Sequence, residues 1–144
     1  MTVVSSEMLH ATSVAIDGRA ILIEGVSGVG KSDLALRLID RGATLVSDDR
    51  TLVVRHNAVL VARAPDTIRG KIEVRGLGIL TLPAVTDVTV ALIVRLGVTP
   101  ERMPDRRQRR LAGVVVPEFA FDAFHASTPI KIEWALRQPD ATPL

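Results

Sequence analysis

The segment Gly25-Val26-Ser27-Gly28-Val29-Gly30-Lys31-Ser32 carries glycines, a lysine and a hydroxyl at the spacing G-x-x-x-x-G-K-[ST]. That spacing suits the binding of phosphate. Glycines let a short backbone segment curl so that successive N–H groups point at phosphate oxygens. A helix starting at the lysine adds the positive end of its dipole. Lys31 can reach the β- and γ-phosphates of a nucleotide, and the Ser32 hydroxyl can ligate Mg²⁺. From average glycine usage, a chance match in a chain of 144 residues is on the order of one in a hundred.

Other residues could complete a phosphoryl-transfer site. Asp48-Asp49 offers two adjacent carboxylates, one to accept the proton of a substrate hydroxyl and one to hold metal or orient the first. The same pair is also commonplace as a solvated turn. Glu73 lies between Ile72 and Val74, so on a strand it faces away from both, as an ordinary exposed glutamate or as a ligand. Arg75 shares its face. Arg102, Arg106, Arg107, Arg109 and Arg110 crowd one segment. They read as neutralisers of phosphoryl charge, or as a solvated basic loop that attracts an acidic partner.

The elements around these residues read as mostly strands. Ser13–Ile16 and Arg19–Glu24 are β-prone runs joined by Asp17-Gly18, a hairpin signal because a type I′ turn needs positive φ at both central positions. The second run leads straight into the glycine loop. Lys31–Arg41 then places Leu34, Ala35, Leu38 and Ile39 on one helical face, and Gly42 ends that helix. Strands are expected at Thr44–Ser47, Thr51–Arg55, Ala58–Arg63, Val88–Leu96, Val114–Phe121 and Ile130–Leu136. Val88–Leu96 is the most apolar and is expected at the centre of the sheet. Ile72–Leu82 reads as a bent strand, Thr99–Arg110 as a loop and Gln138–Leu144 as a tail. A hairpin feeding the loop, with one helix among many strands, points to a mixed sheet.

The bulk properties narrow the field. The chain has the length of one domain, is 47% apolar and contains no cysteine, which removes disulfides and thiol chemistry. The net charge of +2 is carried almost wholly by scattered arginines, with too few aromatics for nucleic-acid stacking, so no nucleic-acid partner is expected. The absence of a signal-like N-terminus and of any long apolar run points to no membrane and a cytoplasmic location.

Three further strings are informative: Leu9-His10, Val46-Ser47-Asp48-Asp49-Arg50 and Ile72-Glu73-Val74-Arg75-Gly76-Leu77-Gly78-Ile79. In this order around the glycine loop they resemble the catalytic domain of the HPr kinase/phosphorylase family, whose signature IEVRGLGI closely matches. The likeness runs from His10 to about Leu82 and, more loosely, to Trp134. It implies a strand-rich mixed α/β P-loop domain related to the nucleotide-binding domain of phosphoenolpyruvate carboxykinase. It also implies ATP- and Mg²⁺-dependent phosphorylation of a serine on an HPr-type phosphocarrier protein, with phosphorolysis as the reverse, in a homo-oligomer. By the same resemblance Asp48 is the general base, Asp49 its support, and Glu73 the acid that joins Ser32 around Mg²⁺. Arg75 contacts phosphate or Glu73, His10 stands near the phosphates, and Arg102 belongs to a loop that closes over the nucleotide.

The sequence departs from longer members in carrying Val26 where they usually have an acid. Residues 1–144 read as a single kinase domain of the short stand-alone form, with neither the N-terminal domain nor the C-terminal helices of longer members. Two other functions remain open at this point: a kinase for a small molecule, and a non-catalytic ATP-sensing module that binds a signalling protein.

Overall fold

In the computed structural model, residues 5–138 are described. In chain order the elements are β1 (Ser6–Leu9), β2 (Ala11–Ile16), β3 (Arg19–Glu24), α1 (Lys31–Asp40), β4 (Thr44–Ser47), β5 (Thr51–His56) and β6 (Val59–Arg63). They continue with β7 (Lys71–Val74), β8 (Gly78–Thr81), β9 (Val88–Arg95), β10 (Arg107–Leu111), β11 (Val114–Ala120) and α2 (Thr128–Arg137).

The unbroken apolar run of β3 is explained by burial on both faces. Ile21 and Ile23 point into a core shared with Leu34, Leu38, Ile132 and Leu136 of the helices. Ala20 and Leu22 point into a second core with Val53, Leu60, Ile93 and Val116. The period of two along the strand therefore feeds two layers. The nearly continuous apolar strand β9 is central, as its composition predicts. It pairs in parallel with β3 along one edge, while its other edge is shared between β6 and β11.

The main sheet follows the path β1-β5-β6-β9-β3-β2-β4, with the β10–β11 arm joined to β9. The β2–β3 hairpin closes at Asp17 and Gly18 with φ of 51° and 73°, the two-residue turn that the sequence predicts. Because β2 is antiparallel to both β3 and β4, strand β4 runs in the same direction as β3, β9 and β11. The loops that leave these four strands consequently gather along one edge of the sheet, where open α/β sheets bind ligands.

Three expectations are corrected. Ile130–Leu136 is not a strand but most of helix α2. Its apolar residues at 130, 132, 134 and 136 mimic strand alternation, yet only Ile132 and Leu136, four apart, are buried among them. Thr99–Arg110 is not wholly loop, since Arg107–Leu111 pairs with β11. Arg107, Gln108 and Arg110 of that arm are exposed, so hydrophobic alternation could not announce it. Ile72–Leu82 is not one bent strand but the hairpin β7–β8, turned through Arg75–Leu77. Gln138 closes α2 as its C-cap, and the remainder of the expected tail lies outside the described residues. No helix among the described residues is long and apolar enough to cross a membrane.

Candidate active site

The glycine loop links the C-terminal end of β3 to α1, the context that a phosphate loop requires. Gly28 and Gly30 take φ of +85° and +104°, left-handed backbone that favours glycine, and the Val29 N–H between them donates to the Val26 carbonyl at 3.2 Å. Gly30 is the N-cap of α1, and no side chain caps that end. Lys31 is 7% exposed; its Nζ donates to the Gly25 carbonyl at 2.7 Å and lies 3.8 Å from Asp49 Oδ1. The ammonium is thus held beside the loop rather than in solvent. Val26 is exposed.

Asp48 follows the last residue of β4 and is 8% exposed. A buried carboxylate is tolerated only when hydrogen-bonded or paired. It accepts from Ser32 Oγ at 2.6 Å, from Thr12 Oγ1 at 3.1 Å and from the Glu73 backbone N–H at 2.9 Å. One carboxylate thereby ties together α1, β2 and β7. Asp49 differs sharply from its neighbour. Its side chain is exposed, its φ is +66°, and its N–H donates to Thr12 Oγ1 at 3.0 Å. The left-handed backbone at Asp49 turns the two side chains apart, giving one held carboxylate and one free to meet solvent, metal or Lys31.

The Glu73 side chain is exposed on β7, next to the amide that holds Asp48. Arg75 is exposed in the turn beyond β7, so strand alternation does not fix its direction. His10 is exposed in the bend between β1 and β2; since Ala11 pairs with Glu24, this bend adjoins the start of the glycine loop. Arg102 is exposed in the segment that leaves β9 at the same edge.

The arginine cluster is dispersed by the fold. Arg107 lies 3.8 Å from Glu101. Arg109 bridges Glu24, the last residue of β3, at 2.5 Å and Glu118 of β11 at 2.6 Å. Burial opposes the Arg109 charge, but hydrogen bonds and attraction from Glu24 and Glu118 outweigh it and raise its pKa. Arg109 is therefore committed to fastening the β10–β11 arm to the strand before the loop.

Residues that sequence reasoning missed include Thr12, which supports both aspartates, and the Glu24–Arg109–Glu118 bridge. Neither belongs to a motif; pairing across the sheet alone brings them to the site.

No group of three or more His, Cys, Asp or Glu residues gathers as a metal site among the described residues. Magnesium bound with substrate phosphates needs only one or two protein carboxylates. The Ser32 hydroxyl and the Glu73 carboxylate, brought near each other through Asp48, are oxygen donors that could serve such an ion.

This fold and site define a class: a mixed, strand-rich α/β domain with a glycine-rich loop at the carboxyl edge of its parallel strands. The chain belongs to the family described as the HPr Serine kinase C-terminal domain, which it matches over residues 2–95. It is 44% identical over 84 residues to the HPr kinase/phosphorylase of Clostridium acetobutylicum, an alignment covering 58% of this chain and 28% of that protein. The enzyme of the same name from Limosilactobacillus reuteri is 36% identical over 137 residues, 85% of this chain and 41% of the relative. The chain thus spans less than half the length of these curated relatives. Among solved structures, the Hpr(Ser) kinase/phosphatase from Coxiella burnetii superposes with a TM-score of 0.80 at 33% identity, covering 92% of this chain and 95% of that one.

Proposed function

We propose that the protein is a serine-protein kinase that uses ATP with Mg²⁺ to phosphorylate an HPr-type phosphocarrier, and that it also catalyses the reverse phosphorolysis. The observation that carries this reading is the Asp48 carboxylate, buried and oriented by three donors, one of them the Ser32 hydroxyl of the glycine loop. Membership of the family, and the activity named for its relatives, support the substrate class. On this reading the domain is a P-loop fold akin to the nucleotide-binding domain of phosphoenolpyruvate carboxykinase, supported by the Gly25–Ser32 loop between β3 and α1.

In the forward direction the serine oxygen attacks the γ-phosphorus, its proton passes to Asp48, and ADP leaves. Lys31 and the N–H groups of the loop balance the phosphate charge. Ser32 and Glu73 would hold Mg²⁺, which would supply charge neutralisation and alignment of the phosphates. In reverse, an oxygen of inorganic phosphate attacks the phosphoserine phosphorus. Asp48 returns its proton to the departing serine oxygen, and pyrophosphate is formed. Asp49 supports Asp48, while His10, Arg75 and Arg102 add positive or hydrogen-bonding character around the transferred group. A base held this firmly favours catalysis over mere ATP sensing.

The test is transfer of γ-labelled phosphate from ATP to HPr, followed by inorganic phosphate to look for labelled pyrophosphate. Asp48→Asn is expected to lower transfer by about 10²- to 10⁴-fold while ATP still binds. A wild-type protein that binds ATP yet labels no HPr-type protein of its own genome would overturn the reading.

A further inference from the structure

A phosphate loop grips a triphosphate but says nothing about the base attached to it. Besides the Asp48–Asp49 turn after β4, the parallel strands leave three loops along the same edge: the glycine loop after β3, the segment after β9 with Arg102, and residues 121–127 after β11. The third carries Phe124. The residue is 69% exposed, and the tip of its ring lies 3.0 Å from the position that a Cβ on Gly30 would occupy. Ala123, also against Gly30, is buried.

The chain's other aromatic rings are otherwise engaged. Phe119 and Phe121 stack on each other with centroids 5.9 Å apart and 4° between planes. Trp134 faces the Arg137 guanidinium at 5.2 Å. Phe124 alone among the aromatics presents a ring with neither a ring nor a cation over it, within the described residues.

The exposed ring also stands on a fixed support. The Phe124 N–H donates to Asp122 Oδ1 at 2.8 Å, and the Thr128 hydroxyl donates to the Asp122 carbonyl. Arg37 of α1 donates to the carbonyls of Ala123 and His125. Helix α1 therefore fixes the backbone on both sides of residue 124. An exposed aromatic held this way loses little freedom when a flat ligand covers it.

Position gives the ring its ligand. Asp48 and Glu73 lie beyond β2 on the β4 side of the glycine loop, whereas Phe124 lies beyond β9 on the β11 side. The ring rests against Gly30 and the Asp48 carboxylate accepts from Ser32, so the two flank the glycine loop from its two sides. If phosphoryl transfer occurs at Asp48, the opposite end of the nucleotide projects toward Phe124.

We infer that Phe124 is the stacking platform for the purine base of the bound nucleotide, and so a determinant of selectivity for nucleotide over simple polyphosphate. The inference rests on the phosphate-binding reading of residues 25–32. Binding of Mg²⁺-ATP and of Mg²⁺-tripolyphosphate, measured by calorimetry, separates the two. Phe124→Ala and Phe124→Leu are expected to weaken ATP roughly 5- to 100-fold and to change tripolyphosphate less than about twofold. Phe124→Trp should restore ATP binding. Leucine keeps an apolar side chain against Gly30, so a loss confined to ATP in that variant is not a packing defect. Parallel weakening of both ligands, or unchanged ATP affinity with a raised KM for the protein substrate, overturns the assignment. If wild-type protein binds neither ligand, the phosphate cradle itself fails and the platform with it.

Discussion

Thr12 has the most instructive chemistry of any single residue here. Fully buried on β2, its hydroxyl donates to Asp48 and accepts from the Asp49 amide. Thr12→Val keeps the shape and removes both bonds, leaving a buried acceptor and a donor short of a partner. We expect a loss of about 1–3 kcal/mol in urea denaturation. We also expect kcat to fall roughly tenfold while the KM for ATP stays within about twofold, because the loop that grips phosphate is untouched. A KM effect larger than the kcat effect would instead assign Thr12 to nucleotide binding. The sequence made the glycine loop readable because chemistry dictates its spacing, and Asp48 readable only through the family resemblance of the string around it. Thr12 was illegible for the opposite reason: any hydroxyl-bearing strand residue looks like it, and only the pairing of β2 with β4 gives it a role.

At the scale of elements, helix α2 and the β10–β11 arm are fastened to the elements that carry the candidate site. Ile132→Ala should cost about 2–5 kcal/mol, since Ile132 is fully buried between α2 and the sheet. Trp134→Ala, at a half-exposed position, should cost much less; equal losses would favour the strand that the sequence suggested. Arg109→Ala strands the Glu24 carboxylate and leaves Glu118 with Arg95 alone, at a cost of about 1–3 kcal/mol by thermal unfolding. The raised pKa of Arg109 fixes the sign of any pH effect from this group. Its contribution is complete below the unfolded guanidinium value and fades only as pH climbs through the still higher folded one. Titration of Arg109 therefore leaves the arm intact across neutral pH. The helix α1 and the β2–β3 hairpin were legible because local periodicity and turn chemistry decide them. The identity of α2 was not, because two apolar residues four apart and two more on the outer face also satisfy a period of two.

For the whole molecule, the ligand should behave as a structural component. At ATP concentrations near 100 Kd, binding to the folded state alone adds about 2.7 kcal/mol, a rise of several degrees in Tm. Lys31→Ala should abolish that rise; a shift of undiminished size would mean that ATP binds elsewhere. A different consequence follows from the pairing of β3 with β9, whose partners such as Glu24 and Arg95 stand roughly 70 residues apart in the chain. Closing so large a loop costs entropy before any contact repays it, so parallel registry of this kind is slow to form. The strand that launches the phosphate loop is thus anchored late, after its local hairpin with β2 is available. Nucleotide should then act as a brake on unfolding rather than a spur to folding: refolding rates stay the same with or without ATP, while the lifetime of the native state lengthens.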